Sequence, residues 1–284
     1  MDSVLIRLRE ATESMSATER SIAAFIQQYP ERTITLNVRQ LAEQSYTSPS
    51  TVVRLCKRLG FSGYRALHQA LTYELAQLRR DAGHQTEEIA PEDTIERVIE
   101  KVTYKNITSL EDTRRLQDPA TVSACVALLR ASRTVLLFGI GSSLCVARDA
   151  YLKFLRINKP CSINDDWHSQ LLQARNAGPQ DVGIVFSYSG ATTEMVACMQ
   201  ALRAGGAPCI AVTRYARSPV SALATYNLYT AATEALFRSG AMSSRISQLN
   251  VVDILFTLYV NQDYDACLRQ FEKTHIHKPG EGQP

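Results

Sequence analysis

Apolar residues recur at helical spacing through the first quarter of the chain. Thr18-Glu19-Arg20 opens a run that puts Ile22, Ala23, Phe25 and Ile26 on one face and stops near Pro30. The same period predicts helices over about 38–44, 49–59 (ending at Gly60) and 63–78, the last carrying Tyr64, Leu67, Leu71 and Leu75. Residues 1–78 therefore read as wholly helical. RRDAGHQTEEIAPED, 79–93, is polar, contains Gly and Pro, and reads as a linker. A long helix is expected over about 93–117, with an apolar stripe of Ile95, Val98, Ile99, Val102, Ile107 and Leu110. Asp118 and Pro119 then suit the N-cap and first position of another helix.

The texture changes at residue 134. TVLLFG, VGIVFS and PCIAVT are short, β-branched runs ending in small or polar residues, and CSIN (161–164) and YNLYTA (226–231) are weaker strand candidates. Buried strands alternating with helices indicate βαβ units and a parallel sheet. The last helical stretch, about 243–260, is strongly apolar and suits a core or a subunit interface; the tail HKPGEGQP reads as disordered. The expected fold class is α/β: an all-helical N-terminal domain (1–78), a linker (79–93), a parallel-sheet domain flanked by helices (94–270) and a flexible tail (271–284).

The net charge of +3 is mild, but it is unevenly spread. Residues 31–80 hold eight Arg or Lys against three Glu, a surplus of five, so the remainder is slightly acidic. A compact basic segment is a phosphate-binding footprint or a solvated surface, and charge alone leaves both open. Seven cysteines, odd in number and without CxxC spacing, argue against a disulfide framework and a cysteine-held zinc, and His275-x-His277 lies alone in the tail. No metal or cofactor is expected. The N-terminus has no long apolar signal core and no stretch is long enough to span a membrane, so cytoplasmic residence is the default expectation.

Within the basic segment, Leu41 and Ala42 lie on one predicted helix and Val52, Val53 and Leu55 on the next, joined by the short Ser45-Tyr46-Thr47. Ser48 is a natural N-cap for a helix whose first residue is Pro49. Ser48, Ser50, Thr51 and Arg54 occupy the early exposed positions, where helix-turn-helix motifs meet base edges, while Lys57 and Arg58 suit phosphates. A three-helix bundle with a polar face is the structural alternative. The stretches S-x-x-E-R-x-I-A-x-F-I (16–26), Leu41-Ala42 and S-x-x-T-V-V-R-L-C-K-R-L-G-F-x-G-Y (48–64) resemble the N-terminal domain of the RpiR family of bacterial regulators. That resemblance implies a winged-helix-like fold with residues 49–59 in the major groove of double-stranded DNA.

Two strand-turn-helix junctions carry a second chemistry. FGIGSS (138–143) and SYSGATTE (187–194) place small residues, among them Gly141, Ser142 and Gly190, at helix N-termini, where unpaired N–H groups and the helix dipole favour an anion. Ser143, Ser187, Ser189 and Thr192 can each donate to a phosphate oxygen. A dinucleotide site is the competing reading, with Asp165 or Asp166 at the ribose, but Leu144 stands where the third glycine belongs. The two loops, as S-x-S-G-x-T-x-E and G-x-G-S-S, resemble the SIS domain, which implies phosphate contacts at Ser143, Ser187, Ser189 and Thr192. E-A-L-F-R-S-G-A-M-S-S-R (234–245) is similar to regulators compared with N-acetylmuramic acid 6-phosphate sensors.

His168, after the second strand, and Glu234 are further candidates for the sugar hydroxyls. Asp166 is as well explained by the loop, and Glu194 by its place in a helix's first turn. Isomerases and lyases share the SIS fold, so a phosphosugar isomerase or lyase is the alternative to a non-enzymatic sensor. The attached DNA-reading domain favours a regulator whose homodimer or homotetramer changes arrangement with the sugar phosphate. The linker and the helix after it are then the transmission elements.

Overall fold

The computed structural model describes residues 3–80, 89–232 and 241–276. These form two compact units, one of 1–118, 214–218 and 229–247, the other of 119–213, 219–228 and 248–284. Thus the segments Cys209–Arg214, Tyr226–Thr230 and Met242–Asn261 each pass from one unit into the other.

The first unit is helical: α1 (Val4–Ala11), α2 (Ala17–Gln28), α3 (Pro30–Thr33), α4 (Val38–Gln44), α5 (Pro49–Arg58), α6 (Tyr64–Arg80) and α7 (Ile95–Leu116). Local chemistry sets the starts. Ser16 and Glu19 form a capping box on α2, Asn37 and Gln40 another on α4, and Ser48 and Thr94 cap α5 and α7. Val4, Leu8, Ile22, Ile26, Leu41, Ala42, Val52, Leu55, Leu67 and Leu71 make its core. The buried Glu74 carboxylate of α6 accepts from Ser3 Oγ (2.6 Å), Val4 N (2.7 Å) and Leu5 N (3.2 Å), which fixes α1. Burial pushes that carboxyl above its ordinary range.

Later segments of the chain complete this unit. Tyr215 and Tyr229 pack on a small cluster of Ile6, Leu116 and Ala231. Arg7 lies over the rings of Phe61 and Tyr215, 5.1 Å from each centroid, and both Arg7 Nη1 and Tyr215 Oη donate to the Leu59 carbonyl at 2.8 Å. Thr113 Oγ1 donates to the Ala231 carbonyl and accepts from its N–H. The apolar stripe expected on α7 does not face this core: Ile95, Ile99 and Ile107 are exposed, and Ser109, Asp112, Thr113 and Leu116 are the buried positions. Polar partners explain the inversion, because Arg9 binds Asp112 at 2.8 Å and Ser247 Oγ reaches the Ser109 carbonyl.

The second unit is built on α8 (Pro119–Ala131), β1 (Thr134–Phe138), α9 (Ser142–Arg156), β2 (Cys161–Ile163), α10 (Trp167–Arg175), β3 (Asp181–Phe186), α11 (Thr193–Ala204), β4 (Cys209–Arg214), α12 (Pro219–Leu223), β5 (Tyr226–Thr230), α13 (Met242–Asn261) and α14 (Tyr264–Lys273). The strand order is β2-β1-β3-β4-β5, and the β1–β2, β1–β3 and β3–β4 pairs are parallel. Both faces are covered, so β1 and β3 are buried along nearly their whole length, which accounts for continuous apolar runs rather than alternation. One face packs with Val126, Leu129, Phe154, Val251, Val252 and Leu255, the other with Ala174, Cys198, Met199 and Leu202. The chain runs from β1 out to β2 and back past β1 to β3, which places the topological switch point between β1 and β3. The expected tail from residue 271 begins as the last turn of α14, and 277–284 lie outside the described residues.

Candidate functional site

The helix-turn-helix is α4, the turn at 45–47, and α5. Ala42 is buried where the two helices cross, and Ser45 Oγ donates back to the Leu41 carbonyl at 2.7 Å. Tyr46 occupies the turn with φ +54°, and its side chain is 94% exposed. At the start of α5, Ser48 Oγ accepts from Thr51 N at 3.2 Å and lies within 3 Å of both the Ser50 and Thr51 hydroxyls. Ser48, Ser50, Arg54 and Lys57 are exposed and Thr51 is half-buried, while Val52, Leu55 and Cys56 face the core. Arg58 is placed differently. Its guanidinium donates to Glu19 (2.7 Å) and to the Ser14 carbonyl (2.5 Å), so the fold commits it to joining α5 to α2. Although burial pushes the Glu19 carboxyl up, hydrogen bonds from the Ser16 backbone and hydroxyl and the charges of Arg58 and Arg54 hold it below the usual range.

The two hydroxyl-rich loops leave the carboxyl ends of the adjacent strands β1 and β3. Gly139 packs so closely on the first turn of α9 that a Cβ there would lie 2.7 Å from the Ser143 carbonyl oxygen. Gly141, the N-cap of α9, has φ +60° and ψ −128°, a region open essentially to glycine alone. Neither α9 nor α11 has a side-chain cap; Leu144 N donates to the Gly141 carbonyl at 3.1 Å, and the N–H groups at the very start of each helix are the ones placed to meet an anion. Ser187 Oγ donates to Thr192 Oγ1 at 3.4 Å, Gly190 N donates to the Ser187 carbonyl, and Ser189 Oγ accepts from Ala191 N. Ser142 and Ser143 are the first two residues of α9; Ser142 is half-buried and Ser143 buried.

The other candidates separate. His168 is exposed in the first turn of α10, whose cap is Asp166, accepting from Ser169 N at 2.9 Å. Asp165 is paired with Arg148, so both acids a dinucleotide ribose would use already have partners. Glu194 is half-buried in the first turn of α11. Glu234 lies outside the described residues. Five of the seven cysteines are buried, and burial pushes the Cys125 and Cys209 thiols up to about 12; Cys145 is exposed.

Two glutamines at the first loop escaped the sequence reading. Gln170 of α10 accepts from Gly139 N (3.1 Å) and donates to Gly139 O (3.0 Å), clamping the loop's backbone. Gln248 of α13 accepts from Ser143 Oγ at 3.2 Å. Neither carried a signal in the sequence: Gln248 stands among Ser244, Arg245, Ser247 and Asn250 in the polar first half of α13, and Gln170 stands alone.

Comparison with known proteins matches residues 2–78 to the helix-turn-helix domain of the rpiR family and residues 128–258 to the SIS domain. An HTH-type transcriptional regulator of Caldanaerobacter subterraneus subsp. tengcongensis is 36% identical over 276 residues, 96% of each chain. YbbH of Bacillus subtilis, also an HTH-type transcriptional regulator, is 32% identical over 94% of each. Among solved structures, Vibrio vulnificus NanR complexed with ManNAc-6P superposes with a TM-score of 0.60 at 26% identity, covering 95% of this chain and 96% of that one. The sugar isomerase domain of an RpiR transcription factor from Sphaerobacter thermophilus, 21% identical with a TM-score of 0.57, covers 62% of this chain and 97% of its own and shares the fold.

Proposed function

The chain belongs to the RpiR family of helix-turn-helix transcriptional regulators with an SIS domain, and from that premise we propose that it binds an operator through α5 and releases or engages it in response to a phosphorylated sugar. Sugar or amino-sugar catabolic genes are its targets, and it works in the cytoplasm without catalysing a reaction. The observation that carries the effector reading is the pair of uncapped helix N-termini, α9 and α11, opening beside hydroxyl-rich loops at the switch point of the sheet. Ser143, Ser187, Ser189 and Thr192 hold the phosphate, and Gly141, Ser142 and Gly190 bring backbone to it. His168 and Glu234 reach the sugar. NanR's complex with ManNAc-6P supports that ligand class.

Calorimetry with N-acetylmuramic acid 6-phosphate, ManNAc-6P and pentose phosphates, each beside its unphosphorylated sugar, tests this. One phosphate should bind far more tightly than its parent sugar. Ser189→Ala should weaken it roughly ten- to a hundredfold, since a hydrogen bond to a charged group contributes about 1.5–3 kcal/mol. Equal affinity for sugar and sugar phosphate overturns the proposal, and turnover of the bound sugar favours an isomerase or lyase instead.

A further inference from the structure

We propose that Gln248 aims the Ser143 hydroxyl at a bound phosphate by turning its amide over, which makes it a positioning residue of the effector site. The inference rests on the phosphosugar reading of the two loops.

Ser143 has one hydroxyl proton. In the structure that proton goes to Gln248 Oε1, at 3.2 Å. Gln248 is 1% exposed, and its Nε2 has no hydrogen-bond partner among the described residues. The site thus holds a hydroxyl whose proton points away from the anion and a buried amide donor left over beside it. A phosphate at the N-terminus of α9 reverses the demand, because its oxygens only accept. If Ser143 alone swung its proton to the phosphate, Gln248 Oε1 would lose the Ser143 hydroxyl and Nε2 would stay an orphaned donor. A buried polar group left without a partner is costly.

A half-turn of the amide about its last torsion, exchanging the places of Oε1 and Nε2, resolves the conflict at Ser143. Nε2 then donates to the Ser143 oxygen, and the Ser143 proton is released towards the phosphate. The two bonds run in one direction and polarise each other. Gln248 touches no ligand atom in this scheme; it acts through Ser143.

The test is a double-mutant cycle read by calorimetry on the full chain. The probes are ManNAc-6P, N-acetylmuramic acid 6-phosphate and inorganic phosphate, with melting temperatures measured alongside. Ser143→Ala and Gln248→Met should each weaken the tighter sugar phosphate about tenfold. The double variant should bind no more weakly than Ser143→Ala alone, a coupling that a merely structural glutamine would not produce. Gln248→Glu keeps the volume but only accepts, so it should hold the Ser143 proton and lose at least as much. It also keeps the proposal testable if the methionine variant fails to fold. Unchanged affinity in both Gln248 variants, or losses that simply add, overturns the role of Gln248 while leaving the effector site standing. A wild-type chain that binds none of the probes overturns both.

Discussion

Arg54, Lys57 and Arg58 lie within five residues of α5, yet the fold uses them differently. Arg54 and Lys57 are exposed, whereas the Arg58 guanidinium is held by Glu19 and Ser14. Arg54→Ala should cost roughly 1–3 kcal/mol at the operator and relax the preference for one base pair. Lys57→Ala should weaken all sequences alike and lower the salt slope by about one counterion. Gel-shift titrations at several salt concentrations separate the two effects, and the absence of any preferred genomic fragment would remove the basis for both. Arg58→Ala, by contrast, should show first as a lowered melting temperature. In the turn, Tyr46 adopts a backbone conformation that costs a non-glycine residue about 1 kcal/mol or more. Tyr46→Gly should therefore leave stability unchanged or raise it, as read by urea denaturation. A clear loss would mean that the ring has a partner in the folded domain.

At the scale of elements, the legible features were those written in local chemistry. Ser16 with Glu19 and Ser48 with Pro49 announced the starts of α2 and α5, and β-branched runs announced β1, β3 and β4. What was not legible depended on distant partners. The apolar stripe of α7 is a valid helical pattern, but periodicity gives the orientation of side chains about an axis and not what faces them. Gln170 and Gln248 gain meaning only when α10 and α13 come beside the first loop. The capping box on α2 also has a pH signature. Glu19 sits below its ordinary value of about 4.5 in the folded chain, so its contribution is complete above that value and is lost as pH falls through the lower folded value. Glu19→Gln should melt lower at neutral pH and show a shallower loss of stability on acidification. Parallel acid profiles for the two proteins would place the depressed carboxyl elsewhere.

At the scale of the whole molecule, a helix-turn-helix reader gains specificity by meeting two half-sites, so the working form should be a homodimer or homotetramer. In a single chain Ile95, Ile99 and Ile107 of α7 are exposed, Ile95 at 77%, a stripe suited to a second copy. Light scattering should return a multiple of 31.5 kDa at micromolar concentration, and Ile99→Glu should reduce it. A monomer mass for the wild type would rule out the assembly, and an unchanged oligomer in Ile99→Glu would move the interface off α7. No helix among the described residues is long and apolar enough to cross a membrane.

The Leu59 carbonyl, shared by Arg7 and Tyr215, bears on how such proteins can be recombined. The family's two sequence modules look interchangeable, joined by a polar stretch that invites a splice. The compact unit that contains the DNA-reading helices is nevertheless finished by Tyr215, Tyr229 and Ala231, contributed from far downstream. A chimera made by grafting residues 1–78 onto a paralogue's remainder would set Ile6, Arg7 and Phe61 against a foreign surface. Exchange of operator specificity between relatives is therefore best attempted by transplanting the exposed face of α5, leaving the packed underside of the reader with the chain it evolved beside.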